Sequence, residues 1–400
     1  MQWHREADAV EIDLWWLLAL PLFFGLGWIA ARVDIHHLLS ESRALPGSYF
    51  KGLNFLLNEQ PDKAIDAFIE VVKVDPETIE LHFALGNLFR RRGEVERAIR
   101  MHTSLVNRPD LTDEQRLHAL FELGQDYLNA GLLDRAEEAL TKLEGTSYAG
   151  RAQAHLLEIY ELEKDWDKAI RTAERVESET GASRQKEIAE FNCERAAASL
   201  ARSQVDDARH HVEAALKANR KTVRANMLLG DIEAHLKNHE AAIAAWLRIE
   251  TQDPRFLSHV AQRLMEAHRA QGHAMEGAQL LRGLLARYPS ADLLETAFQV
   301  TLEVEGADAA YAVVREELRK HPTLAGLDKL LEAQLLAAPP ERAGDLTLIK
   351  SLIHTHTEKL KRYACENCGF KAKQFFWRCP GCGGWETYSP TRAEEMNGTS

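Results

Sequence analysis

The chain has 400 residues, a formal net charge of −12, twelve prolines and five cysteines. Five cysteines exclude an even-numbered disulfide framework and fit a reducing compartment. The length exceeds what one compact helical domain holds, and against so acidic a background any cluster of cations stands out.

Residues 1–13 form a short N-terminal segment. From Leu14 to Ala31 the chain reads LWWLLALPLFFGLGWIAA, without a charge. As a helix these roughly 18 residues rise about 27 Å, close to the roughly 30 Å hydrocarbon core of a bilayer. Trp15, Trp16 and Trp28 fall near its ends, where amphipathic rings prefer the headgroups. A cleaved signal peptide would carry a basic flank, yet Glu6, Asp8, Glu11 and Asp13 stand here against Arg5. Arg32, Arg43 and Lys51 follow, so the positive-inside bias predicts one span with the N-terminus outside and the bulk of the chain in the cytosol. Residues 32–46 are a connector.

Residues 47–356 are alanine-rich and lack strand-like alternation. Gly52 and Gly86 lie 34 residues apart, as do Ala64 and Ala98, and each glycine precedes an aromatic, Phe55 or Phe89, by three residues. That is the tetratricopeptide period: helical hairpins in which small residues permit close approach, Phe55 and Phe68 fill the gap and Pro76 ends the second helix. Gly124, Tyr127 and Ala136 mark a third unit after an insertion at Leu111–Glu114, and Tyr160 with Ala169 a fourth. Ala208 marks a fifth after an insertion near Glu177–Lys186, then Gly230, Ala242, Trp246 and Pro254 a sixth. Gly277 with Pro289 and Ala310 with Pro322 continue the spacing to about eight units, and Leu324–Ala338 and Leu346–His356 read as closing helices. Stacked hairpins bury a continuous core only through their neighbours, which predicts a superhelix with a long concave face. Repeat geometry turns Phe83, Asn87, Arg90 and Arg91 of the second unit, and Phe121, Gln125 and Asn129 of the third, toward that groove as candidate partner contacts. Cys193 reads as a small buried residue, and His354 and His356, two apart on a helix, as solvated.

Residues 357–390 contain Cys365, Cys368, Cys379 and Cys382, spelling C-x2-C-x10-C-x2-C, with Gly369 and Gly383 directly after the second cysteine of each pair. Two-residue spacing lets both thiolates of a knuckle meet one ion, and the glycine lets the backbone fold around the sulfurs. Four thiolates predict one structural metal ion, with Zn(II) favoured and Fe an alternative. A closed S4 shell leaves no position for water and so no metal-centred catalysis. Tyr363, Phe370, Phe375, Phe376, Trp377 and Trp385 offer an aromatic cluster around the ion. Residues 391–400 read as a flexible tail. With no P-loop, HExxH, GxSxG or dinucleotide fingerprint, the chain is read as a non-enzyme. Lys359, Lys361, Arg362, Lys371, Lys373 and Arg378 interleaved with aromatics supply an alternative: a nucleic-acid- or lipid-binding ribbon.

The order of parts, with YFKGLNFLLNEQPDKAIDAFIEVVKVDPET at Tyr49–Thr78, LGNLFRRRGEVERAIRMH at Leu85–His102 and a terminal CPGCG knuckle, resembles the lipopolysaccharide assembly protein B family of Gram-negative bacteria. The resemblance implies an all-α tetratricopeptide-repeat superhelix with one N-terminal transmembrane helix and a small C-terminal rubredoxin-like zinc ribbon. It also implies a single-pass protein of the inner membrane that works from the cytoplasmic side as an adaptor for the protease FtsH. Its implied client is the deacetylase committing precursors to lipid A, and a lipopolysaccharide-sensing inner-membrane protein is a further implied partner. Nucleic acid is a disfavoured partner, and the sequence leaves a homodimer open.

Overall fold

In each hairpin the repeat period places a residue without a large side chain where two helices cross, and the computed structural model shows what fills that space. It describes residues 21, 23–28, 47–74, 78–360 and 362–392. Two compact units divide between Leu143 and Glu144. In the first, α1 (Gly47–Leu57) pairs with α2 (Pro61–Val74), α3 (Ile79–Arg91) with α4 (Val95–Val106), and α5 (Asp113–Asn129) with α6 (Leu133–Thr141). In the second, α7 (Ala149–Glu163) pairs with α8 (Trp166–Thr180), α9 (Gln185–Ala201) with α10 (Val205–Ala218), and α11 (Val223–His235) with α12 (His239–Leu247). A short α13 (Ile249–Gln252) and a 3-10 turn at Pro254–His259 lead into α14 (Ala261–Ala270), which pairs with α15 (Ala274–Arg287). Then α16 (Ala291–Glu305) pairs with α17 (Ala307–Lys320), and α18 (Leu324–Leu336) with α19 (Pro340–Leu360). The ribbon adds antiparallel β1 (Tyr363–Ala364) and β2 (Lys371–Ala372), with Tyr363 opposite Ala372.

The second-helix alanines Ala64, Ala98, Ala136, Ala169, Ala208, Ala242 and Ala310 are all 0 % exposed. Opposite them, a first-helix glycine meets the side chain sixteen positions on: a Cβ at Gly52 would come within 2.4 Å of the Phe68 ring, and at Gly230 within 2.2 Å of the Trp246 indole. The same contact joins Gly86 to His102 and Gly124 to Leu140. Gly277 holds the second-helix alanine position instead, and faces Met265 and His268.

Every hairpin turn but the last, between α18 and α19, carries one residue of positive φ: Glu59, Gly93, Gly131, Lys164, Ser203, Lys237, Gly272 and Gly306. A left-handed residue reverses the chain in the fewest steps, and glycine does so without a Cβ penalty. The two insertions are absorbed differently. Around Leu111–Glu114, Thr112 caps α5 through a reciprocal box with Gln115. Near Glu177–Lys186, α8 runs on to a left-handed Gly181 at φ 70° before α9 begins.

The expected span at Leu14–Ala31 lies mostly outside the described residues, of which 21 and 23–28 are helical. Among the described residues no helix is long and apolar enough to cross a membrane. The connector at 32–46, Pro76 and residues 393–400 also lie outside them.

Candidate metal centre and its seat on the second unit

Two knuckles form the centre. Cys365 and Cys368 flank the turn after β1, Cys379 and Cys382 a second turn, and Gly369 and Gly383 adopt φ of 74° and 70°. These left-handed glycines free the backbone to wrap each sulfur pair: Gly369 N–H donates to the Cys365 carbonyl at 2.9 Å and Gly383 N–H to that of Cys379 at 2.8 Å. The Sγ atoms of Cys365 and Cys382 are 3.8 Å apart, those of Cys368 and Cys379 3.7 Å, and all four lie within 4.8 Å of one another. Four sulfurs at about 2.3 Å around a tetrahedral ion sit about 3.8 Å apart, so the donor set fits one metal ion. Zn(II) and Fe share this geometry. When bound, the ion cross-links the two knuckles.

The surroundings of Cys365 favour its thiolate, whereas the neighbouring cysteines push the Cys368 thiol up to about 12. Burial alone would raise the Cys365 thiol, but the Thr387 hydroxyl and the backbone N–H groups of Cys368 and Asn367 outweigh it and hold it at about 6. The Gly381 N–H donates to Cys379 Sγ at 3.3 Å, and Asn367 Nδ2 to Cys382 Sγ at 3.5 Å.

Of the aromatics, only some surround the sulfurs. Tyr363 and Tyr388 are buried beside Cys365 and Cys379, with Phe375 and Phe376 against them. Phe370 is exposed, whereas Trp377 and Trp385 turn to the repeats. This corrects the expectation of one cluster around the ion. A module this small gains more apolar burial from a neighbouring surface than from itself.

That surface is made by first helices of the second unit together with the start of α8 and the 3-10 turn at Pro254–His259. Trp385 packs edge-on against Trp166 and Phe191, at centroid distances of 6.0 and 5.7 Å. Its indole N–H points to Glu161 Oε2 at 3.4 Å, the oxygen that Arg378 Nη2 also reaches at 2.7 Å. Burial pushes the Glu161 carboxyl up against the pull of Arg378. Farther along, Trp377 stacks on Phe256 at 5.3 Å and 3° while the Arg224 guanidinium lies 5.3 Å from the same indole. Phe375 meets Phe256 and His259 edge-on, and Arg392 pairs with Asp292 at 2.9 Å.

Under the ribbon lies a buried ionic group. Arg224 Nη1 donates to Glu190 Oε2 at 3.0 Å and Nη2 to Glu194 Oε1 at 2.8 Å. Glu190 and Arg224 occupy the same repeat position, 34 residues apart. Glu190 is 0 % exposed; burial, aided by the nearby Glu386 charge, outweighs Arg224 and pushes its carboxyl up to about 8. Cys193 is also fully buried, and its thiol is pushed well up by burial and by Glu190.

The candidate groove residues of the first unit divide. Arg91 and Asn129 are exposed, and Asn87 and Gln125 half-buried. Arg90 is engaged within the fold, donating to Glu122 Oε2 at 2.6 Å, Asp126 Oδ1 at 2.8 Å and Asn87 Oδ1 at 2.6 Å. Phe83 and Phe121 are 7 % and 1 % exposed and offer no groove surface. Phe83 packs with Leu105, Leu111 and Ala119 under the stacked His118 ring, because an aromatic at that position gains more from burial than from water. His354 and His356 are both exposed, as expected, and His354 also pairs with Asp328 at 3.2 Å. Sequence reasoning did not find Glu161, Phe191, Arg224 and Phe256; the aromatic excess of the ribbon was the available signal.

Hairpin repeats carrying a four-thiolate ribbon define a tetratricopeptide scaffold with a structural metal site. A tetratricopeptide repeat model matches residues 51–100, 121–183 and 193–255, and a rubredoxin metal-binding domain model matches 363–390. Lipopolysaccharide assembly protein B of Escherichia coli (strain K12) is 34 % identical over 379 residues, covering 94 % of this chain and 97 % of that protein. The protein of that name from Haemophilus influenzae is 29 % identical over 404 residues, covering 96 % and 100 %. The chain belongs to the lipopolysaccharide assembly protein B family. Among solved structures, Naa15/Naa10 bound to HypK-THB aligns at 15 % identity and a TM-score of 0.39, over 78 % of this chain and 54 % of that one.

Proposed function

We propose that the chain is a non-enzymatic adaptor of lipopolysaccharide assembly, held at the inner membrane by one N-terminal span with its repeats on the cytoplasmic side. It brings the lipid A-committing deacetylase to FtsH and so promotes its degradation, under the influence of a lipopolysaccharide-sensing membrane partner. The observation that carries this reading is similarity over nearly the whole length, 94 % of the chain, to a protein named for lipopolysaccharide assembly. The chemistry agrees: a four-sulfur centre offers structure and no open coordination position. A tether of about 15 residues confines the repeats near the membrane, which raises the effective concentration of a bound client beside a membrane protease.

The nucleic-acid reading loses support because its stacking aromatics are engaged: Trp377 lies on Phe256, Trp385 on Phe191, and Arg378 is paired with Glu161. The test is the half-life of the deacetylase after translation arrest, with this chain present and depleted, in cells that retain FtsH. A longer half-life on depletion is expected; an unchanged one overturns the adaptor role.

A further inference from the structure

A second feature of the second unit involves no residue of the ribbon. The C-terminal part of α10, the turn into α11 and the α12–α13 junction border an open cleft of about 770 Å³. Lys217, Arg220, Lys221 and Arg248 line it, and none of the four has an ion-pair partner among the described residues. One carboxylate, Glu213, is at the lining, so the local balance is four cations to one anion in a chain of net charge −12. Cations concentrated this way repel one another unless an anion joins them. The wall adds unsatisfied acceptors. Asn226 is 2 % exposed and its Oδ1 has no hydrogen-bond partner, although its Nδ2 donates to the Thr222 carbonyl at 3.4 Å. Gln252 Oε1 is likewise unpartnered, while its Nε2 holds the Arg220 carbonyl at 3.2 Å and fixes the loop that carries two of the cations. Buried polar atoms are seldom left without partners.

We propose that this cleft binds a phosphorylated sugar or polyol. Arg220 and Arg248 offer planar forks that match phosphate oxygens, and Lys217 and Lys221 add point charges. A turn of the Asn226 and Gln252 amides, whose oxygens are now closed off from solvent, would present them to ligand hydroxyls, which inorganic phosphate at neutral pH supplies poorly. The volume falls in the range of small-molecule sites and exceeds what a bare phosphate fills. A soluble sugar phosphate and a phospholipid headgroup share this chemistry.

The test is calorimetric titration of the full-length, metal-loaded chain in detergent with glucose 6-phosphate and with inorganic phosphate, alongside co-flotation with phosphatidylglycerol vesicles. Saturable binding of glucose 6-phosphate is expected, tighter than that of inorganic phosphate. The exposed double variant Arg220→Gln/Arg248→Gln should weaken binding at least about tenfold, since each charge-assisted hydrogen bond lost contributes about that factor or more. Asn226→Ala, with folding checked by circular dichroism, should remove the preference for the sugar phosphate and retain phosphate binding. Vesicle flotation that the double variant abolishes, without soluble binding, assigns the phosphate to a lipid headgroup. Failure to bind glucose 6-phosphate, phosphate or vesicles, or binding that the double variant leaves unchanged, overturns the proposal.

Discussion

In the first unit the facing surfaces of α3 and α5 are tied by charge: Arg90 spans Glu122 and Asp126, and Asp126 in turn meets the buried His102 at 2.5 Å. In the second unit the corresponding helices carry Phe191 and the Glu190–Arg224 pair, the 3-10 turn adds Phe256, and ribbon aromatics cover them. Both surfaces come from one repeat plan. A charged surface closes on its own side chains and leaves Asn87, Arg91, Gln125 and Asn129 at its edge. An aromatic surface needs a lid, and this chain supplies one from its own C-terminus. The lid cannot fold on apolar burial alone, so its docking depends on the metal.

The largest effect should come from the metal. Cys365→Ser with Cys368→Ser, or chelation, removes a structural ion whose binding contributes on the order of 10 kcal/mol. Residues 363–390 should then become protease-sensitive, while the first unit keeps its unfolding transition. Arg90→Ala should do the reverse. It strands Glu122, whose carboxyl His118 and Arg90 hold at about 2 against the opposing effect of burial, together with the fully buried Asp126. Breaking such a buried pair costs about 3 kcal/mol, read by denaturant unfolding of the first unit, with the ribbon still protected. Trp385→Ala should loosen the ribbon by about 2 kcal/mol without releasing the metal, as protease protection and metal content measured together would show.

A smaller effect follows from pH. The Glu190 carboxyl sits at about 8 in the folded chain against an ordinary 4.5, so the fold favours its protonated form. Its contribution is fully present below pH 4.5 and is lost as pH rises to about 8. Between pH 6 and 8 the second unit should lose stability relative to Glu190→Gln; parallel melting profiles would refute that assignment. Smallest is the turn effect. Lys237 adopts φ 63°, so Lys237→Gly should raise the stability of the second unit by about 1 kcal/mol, measured by thermal melting.

The repeat plan was legible because it depends on size. Ala64, Ala98 and their successors sit where only a small residue fits, and glycine at 52, 86, 124 and 230 marks the opposing helix. The turn signal was half hidden: glycine fills four of the eight left-handed positions, and Glu59, Lys164, Ser203 and Lys237 carry the rest under strain. The cysteine spacing announced the centre, since thiolate coordination dictates it locally. Its seat could not be read. Trp385 and Glu161 meet across 224 residues, and no local rule distinguishes an aromatic that wraps a metal from one that docks on a distant helix. Phe83 and Phe121 failed as groove contacts for a related reason, because repeat position gives a side chain's direction but not whether neighbours close over it.

The central claim is that metal-held folding of the ribbon keeps it on its seat in the second unit. Hydroxyl-radical labelling of Phe191 and Phe256, 0 % and 8 % exposed under the ribbon, in the metal-loaded and chelated full chain tests it most directly. Both rings should be protected with metal and labelled after chelation, with Phe83 and Phe121 unchanged. Equal labelling of Phe191 and Phe256 in the two states would contradict it.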